Sequence, residues 1–187
     1  IFPPQYLAEM QRLDGAVVLE APDPHSGMSY FYDRQLKCRI NTCTLQGQDI
    51  EKRLQHMDQH GIDIHVLTIP APGADRFEGP GAIQIARVAN DAIAAIARQH
   101  PKRFIGFFTL PTCDIKASLD ELERSVNDLG LRGFGCFANL NSQALDREEL
   151  FPIYERLVKY KLPVYVHPTA PLATQASGID IMPTLIF

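Results

Sequence analysis

The chain has 187 residues, of which 45% are hydrophobic and 21% are charged, and its formal net charge is −4. This composition is typical of a folded globular protein, and it excludes a disordered tail, a collagen-like fibre and a low-complexity linker. With a net negative charge, the protein has no overall positive potential to attract phosphate backbones or anionic lipid. Nucleic acid and membranes are therefore not expected as partners.

The sequence carries no evident targeting signal. No stretch approaches the roughly 18 apolar residues of a transmembrane helix, and the first residues lack the basic segment and apolar core of a signal peptide. The four cysteines show no Cys-x-x-Cys spacing, which indicates packed, reduced thiols rather than a zinc ribbon or a disulfide framework. We expect a cytoplasmic protein.

The first 47 residues are predicted to form an irregular segment of loops with a hairpin. Short strands are expected there at residues 16–20 and 29–32. From residue 48 to residue 187, helical and strand-like patterns alternate regularly. The predicted helices cover residues 49–60, 81–99, 114–129 and 147–161. The predicted strands cover residues 62–69, 104–110, 131–138 and 163–167.

This alternation predicts an α/β fold with parallel strands, because repeated βα units place consecutive strands side by side. Two architectures fit: an open doubly wound sheet, or an arc of a (β/α)₈ barrel. A doubly wound sheet usually carries a glycine-rich phosphate loop after a strand, and no G-x-G-x-x-G or G-x-x-x-x-G-K-[ST] motif is present. The absence favours a barrel, with residues 1–187 as one partial domain.

His167 is the sharpest candidate for chemistry, because it ends a buried parallel strand, where barrel active sites form. A neutral imidazole there could bind a divalent metal or act as a base. The alternative is a histidine that is hydrogen-bonded in the core.

For the other candidate side chains, the sequence favours a structural role over a chemical one. His56 and His60 are four apart on a helix, but they fall off its apolar stripe and lack the glutamate of a zinc protease helix, so a solvated face is expected. Cys136 has no base nearby in sequence and is expected to be a buried thiol. Arg39 could clamp a substrate carboxylate, although a solvated surface arginine is the default interpretation.

A series of motifs then follows in order along the chain. It comprises RLQHMDQHGID (53–63), AND (89–91), HPKRF (100–104), TLP (109–111), LGLRG (129–133) and LPVYVHP (162–168). This series resembles the amidohydrolase-related family of metal-dependent TIM barrels, in the branch typified by aminocarboxymuconate-semialdehyde decarboxylase.

The resemblance implies a (β/α)₈ barrel, represented here by about five N-terminal βα units. It also implies one divalent metal, with zinc expected. In the family a His-x-His pair on the first strand, a histidine ending the fifth strand and a late aspartate hold the metal. His167 matches the fifth-strand ligand. The pair is expected upstream of residue 1, and the aspartate and a catalytic histidine beyond Phe187. Arg39 lies near the sequence position at which the family's decarboxylases carry a substrate-binding arginine.

The implied activity is loss of CO₂ from a small unsaturated or aromatic carboxylic acid, which is the expected small-molecule partner. Hydrolysis of a C–N or ester bond by the same constellation remains open, since the fold does not choose between the two reactions. A non-catalytic barrel that serves in binding is the alternative from another class. A homo-oligomer is left open.

Overall fold

The computed structural model describes residues 1–13, 15–35, 37–43, 48–140 and 143–169. Residues 170–187, which belong to the predicted repeat region, lie outside the described residues. Helix α1 (Pro4–Leu13) buries Tyr6 and Met10. These two residues are one helical turn apart and therefore share a face. This helix differs from the loop-rich segment that was expected at residues 1–47, and the spacing of its apolar residues is the signal for it.

A small antiparallel sheet follows α1. Its strands are β1 (Val17–Leu19), β2 (Ser29–Asp33) and β3 (Cys38–Cys43), in the order β1-β2-β3. Burial alternates along β2, where the side chains of Ser29, Phe31 and Asp33 face inward, as the two-residue period of a strand requires. The first two strands were predicted, and β3 was not.

The four predicted helices after residue 48 are confirmed, with ends that shift by at most four residues. They are α2 (Ile50–Gln59), α3 (Gly79–Gln99), α4 (Ile115–Asn127) and α5 (Phe151–Lys159). Aspartate side chains cap two of them: Asp49 accepts from Lys52 N (3.1 Å) and Asp114 from Ala117 N (2.9 Å). One 3₁₀ turn, Ala74–Arg76, precedes α3, and another, Glu148–Leu150, precedes α5.

The four predicted strands are also present, but each is shorter than expected. They are β4 (His65–Leu67), β5 (Phe104–Gly106), β6 (Phe134–Phe137) and β7 (Val164–His167). The shortening has a visible cause at Thr109, which was predicted to lie in β5. Its backbone N–H and C=O bond to the side chain of Asn90 on α3 instead of to a neighbouring strand.

The parallel strands lie in the order in which they occur along the chain. β4 pairs with β5 and β6 with β7, both in parallel. Between the two pairs, Arg132 N donates to Gly106 O (2.9 Å), and Phe108 forms a parallel bridge with Phe134. Helix α3 contacts β5, and α4 contacts both α3 and α5. The fold is therefore mixed α/β, with no reversal of strand order between β4 and β7.

The two outer strands of this parallel arrangement expose apolar side chains. Ile64, just before β4, and Val66 within it are each 51% exposed, and Val164, Tyr165 and Val166 of β7 are 43% to 47% exposed. The core lies between α1, α3, α4 and the inner strands, with Phe108 and Leu122 fully buried. Among the described helices, none is long and apolar enough to span a membrane.

Candidate metal and substrate site

The carboxyl ends of the four parallel strands meet at one edge, because parallel neighbours run in the same direction. Thr68 follows β4, Thr109 follows β5, and Ala138 follows β6. His167 is the last residue of β7. The backbone nitrogen of Ile1 donates to the Thr68 carbonyl (2.9 Å), so residue 1 also lies at this edge.

His167 is half-buried at the end of β7. Its ring lies edge-on to those of Phe137 (5.9 Å between centroids) and Tyr165 (6.2 Å). Its Nδ1 lies 2.7 Å from the Pro168 carbonyl oxygen. Because a carbonyl only accepts, Nδ1 donates, and in the neutral ring Nε2 then carries the free lone pair. A metal-binding histidine is commonly held in this way, with its second nitrogen donating to a carbonyl or carboxylate.

Two bonds fix the position of His167 relative to β6. Ala138 N donates to the His167 carbonyl (2.9 Å), which extends the β6–β7 ladder by one residue. One residue after Ala138 and two residues after His167, Asn139 Nδ2 donates to Thr169 Oγ1 (2.9 Å). The segment that carries His167 is therefore anchored by backbone and side chain to the end of the neighbouring strand.

The loop after β4 closes one side of this edge. Tyr6 is fully buried and its hydroxyl donates to the Pro72 carbonyl (2.8 Å), so α1 holds this loop in place. Gly73 packs directly on the ring of Phe137, where an added Cβ would lie 2.3 Å from a ring carbon. Only glycine permits so close an approach. The loop after β4 and the end of β6 are thereby in contact.

Cys136 lies within β6 in a narrow crevice that it shares with Asp75 and Thr109. Burial, with a smaller contribution from the carboxylate of Asp75, raises the pKa of its thiol to about 11. The thiol therefore stays protonated at neutral pH and does not act as a nucleophile. The prediction of a buried thiol at Cys136 is confirmed. Packing was also expected for all four cysteines, and this is wrong for Cys38 and Cys113, which are exposed.

Arg39 lies on β3, in the N-terminal antiparallel sheet. Its Nε donates to Glu20 Oε2 (2.7 Å), and its guanidinium group lies 4.1 Å from the centroid of the Tyr30 ring. The side chain is 57% exposed. A carboxylate ligand of Arg39 would share the guanidinium with Glu20. The contacts of Arg39 and those of His167 do not overlap in the described part of the chain.

The described residues do not provide a complete metal site. Within residues 1–13, 15–35, 37–43, 48–140 and 143–169, no three His, Cys, Asp or Glu side chains are grouped so that they could hold a metal ion. A structural zinc site usually needs four protein ligands and a catalytic one three. His167 alone does not meet this requirement.

Three features of this edge escaped prediction from the sequence: α1, which holds the loop after β4; the clamp of Asn90 on Thr109; and the bond between Asn139 and Thr169. The apolar spacing within α1 could have indicated the first. The other two join residues that are 19 and 30 positions apart, and no local pattern marks such pairs.

A sequence model of the family described as Amidohydrolase matches residues 44–185. The chain is 36% identical over 121 residues to a 2-amino-3-carboxymuconate-6-semialdehyde decarboxylase of Dictyostelium discoideum, covering 64% of this chain and 34% of the relative. It is 36% identical over 147 residues to a gamma-resorcylate decarboxylase of Rhizobium sp., covering 73% of this chain and 44% of the relative. The chain thus spans less than half the length of these relatives.

Among solved structures, the chain is similar to a 5-carboxyvanillate decarboxylase from Novosphingobium aromaticivorans that was determined with bound manganese and a nitrobenzoic acid. The TM-score is 0.63 at 31% sequence identity, covering 70% of this chain and 39% of that one. The similarity in fold therefore extends over most of this chain.

Proposed function

The chain belongs to the amidohydrolase family, and we propose that it forms part of a metal-dependent decarboxylase that acts on a small unsaturated or aromatic carboxylic acid. The observation that carries the proposal is the place of His167, a histidine at the carboxyl end of a parallel strand whose Nε2 is free to bind a metal. The relatives named above are decarboxylases of such acids, which supports the same reaction class.

We propose that β4 to β7 form an arc of a (β/α)₈ barrel and that residues 1–187 constitute one partial domain. Sequential parallel strands with helices between them support this, because a doubly wound sheet reverses its strand order. The exposed apolar side chains of Val66 and Val166 on the two outer strands agree with an arc that further strands would extend.

His167 would be one ligand of a single divalent ion, with the others supplied outside the described residues. Such an ion, when bound, polarises substrate oxygens. The manganese in the relative supports a divalent ion, and zinc remains our expectation from the family resemblance. Asn139 and Ala138 would hold His167 in place through the bonds described above.

Arg39 would bind the substrate carboxylate. A guanidinium group matches the geometry of a carboxylate with two parallel hydrogen bonds. The ring of Tyr30 and the carboxylate of Glu20 restrict the orientation of this side chain and would direct its remaining N–H groups. This role requires the N-terminal sheet to lie near the substrate, and the bond from Asn41 on β3 to the Ala71 carbonyl in the loop after β4 supports that placement.

The proposal is tested by supplying the intact protein with carboxylated aromatic and unsaturated acids and measuring CO₂ release. Lactones and amides are assayed in parallel, because a hydrolase of the same family is the second candidate. Release of CO₂ without hydrolysis would support decarboxylation. Hydrolysis without CO₂ release would overturn it in favour of the hydrolase, and the absence of both, with no metal bound, would favour a non-catalytic binding role.

A further inference from the structure

A pair of histidines lies outside the proposed site, on the last turn of α2. His56 and His60 are both exposed, as the sequence predicted. Their ring centroids are 4.1 Å apart. Residues four apart on a helix lie on the same face, one turn above the other. The two imidazoles therefore lie together on the exposed face of α2, with their ring planes tilted by 32° to one another.

The orientation of His60 is fixed by a bond to its own helix. Its Nδ1 lies 2.9 Å from the His56 carbonyl oxygen. Because that oxygen can only accept, Nδ1 donates, and the neutral ring presents its lone pair on Nε2, away from the helix. Metal-binding histidines are typically held by such a bond from the second ring nitrogen.

The electrostatic surroundings also favour a cation. The pair occupies the carboxyl end of α2, which is the negative end of the helix dipole. Two nearby cationic side chains are matched by carboxylates: Lys52 lies 3.8 Å from Asp49, and Arg103 lies 2.7 Å from Asp58. Arg53, which is partly buried, is a further cationic side chain of α2.

We propose that His56 and His60 chelate a late first-row divalent ion, namely Cu²⁺, Ni²⁺ or Zn²⁺, at a site separate from His167. Imidazole nitrogens bind these ions well, whereas Mg²⁺ and Mn²⁺ prefer oxygen ligands, and Cu²⁺ binds most tightly in the series. Among the described residues no third His, Cys, Asp or Glu is grouped with the pair, so water completes the coordination. The site is consequently open and exchanges its metal freely with solution.

The test is a titration of the intact protein with Cu²⁺ and Ni²⁺, monitored by isothermal calorimetry. The same titration of the His167→Ala variant identifies any binding at a site that includes His167. The variants are His56→Gln and His60→Gln, with His25→Gln as an exposed control outside the helix. Each α2 variant should weaken Cu²⁺ binding by more than about tenfold, because even losing a supporting bond of a metal-ligating histidine costs about 10- to 100-fold. His25→Gln should bind as tightly as the wild type.

A second measurement needs no variant. Paramagnetic Cu²⁺ or Ni²⁺, added in small amounts, should broaden the imidazole NMR signals of His56 and His60 before those of His25 or His100. Unchanged affinity in both α2 variants, or broadening centred on another histidine, would overturn the proposal. Binding at the pair should be the same in the wild type and in His167→Ala, so the result is independent of whether His167 binds a metal.

Discussion

The side chain of Asn90 forms two hydrogen bonds with the backbone of Thr109, accepting from its N–H (2.8 Å) and donating to its carbonyl (2.9 Å). Asn90 is on α3, and Thr109 follows β5 at the carboxyl edge of the parallel strands. The same amide nitrogen donates to Glu121 on α4 (2.7 Å). One fully buried amide thus joins two helices to the end of a strand.

Replacing Asn90 with alanine should destabilise the protein by about 2 to 4 kcal/mol. It leaves the buried backbone N–H and C=O of Thr109 without their Asn90 partner, and it removes one hydrogen bond from Glu121, which keeps those from Arg124. Urea unfolding of the intact protein measures the change. Asn127→Ala is the matched control, since Asn127 is exposed on α4. Its effect should stay within about 0.5 kcal/mol. Equal effects of the two substitutions would contradict the role that we give to Asn90.

Arg124→Met should also be strongly destabilising. Arg124 donates two bonds to Glu121, which is only 2% exposed, and these bonds raise the pKa of the guanidinium group. Removing one partner of a buried ion pair typically costs about 3 to 5 kcal/mol. The longer contact of Glu121 with Arg87 (4.0 Å) should keep the loss toward the lower end of this range. Adding Glu121→Gln to Arg124→Met should recover part of the loss.

The control for this pair is Lys116→Met, also on α4. Lys116 pairs with Asp120, but both side chains are exposed, at 88% and 68%. Exposed pairs contribute little to stability, because water screens them. A thermal melt of each variant compares the two sites. A loss at Lys116 as large as that at Arg124 would show that burial does not govern the strength of these pairs.

Arg39→Gln should raise KM for a carboxylated substrate of the intact enzyme more than it lowers kcat, because the proposed role is binding. Arg39→Lys should restore little, since an ammonium group cannot form two parallel bonds. Arg12→Gln is the control, an exposed arginine on α1 that also pairs with a glutamate, Glu9. Steady-state kinetics that give Arg39→Gln and Arg12→Gln the same KM would exclude Arg39 from the substrate site.

Because the thiol of Cys136 is buried, its contribution to the free energy of unfolding should decrease as the pH rises in the alkaline range. Its pKa is raised from 9.0 to about 11 in the fold, so between these values the unfolded chain has released a proton that the folded chain still holds. Stability falls as pH rises wherever the unfolded state binds fewer protons. The stability advantage of the wild type over Cys136→Ala should therefore shrink across this pH range. Chemical denaturation at several pH values measures it, and a constant difference would contradict the assignment.

The helix and strand pattern after residue 48 could be predicted because local periodicity records it. Helix α4 shows what local periodicity does not reveal. Leu122 of its apolar stripe is buried, but three polar residues of the same helix, Ser118, Glu121 and Ser125, are buried as deeply. Their partners include Asn90 on α3, which is 31 positions from Glu121. A buried polar side chain is recognisable only with its partner, and the sequence does not show that pairing.

In the candidate site, too, the local features could be predicted and the tertiary contacts could not. The strand-end position of His167 followed from the pattern of an apolar strand that ends at proline. The clamp on Thr109 and the bond between Asn139 and Thr169 depend on tertiary contacts between distant segments. Helix α1 is the exception, since the spacing of Tyr6 and Met10 is local and indicates a helix.

The metal content of the intact protein and of its His167→Ala variant tests most directly whether this chain contributes a ligand to a catalytic metal. After loading with Mn²⁺ and removal of free ions, elemental analysis should find about one divalent ion per wild-type chain and almost none in the variant, because the remaining ligands hold the ion too weakly. His25→Ala, at an exposed turn, should retain the wild-type content. Equal metal content in the wild type and in His167→Ala would contradict the assignment of His167 as a metal ligand.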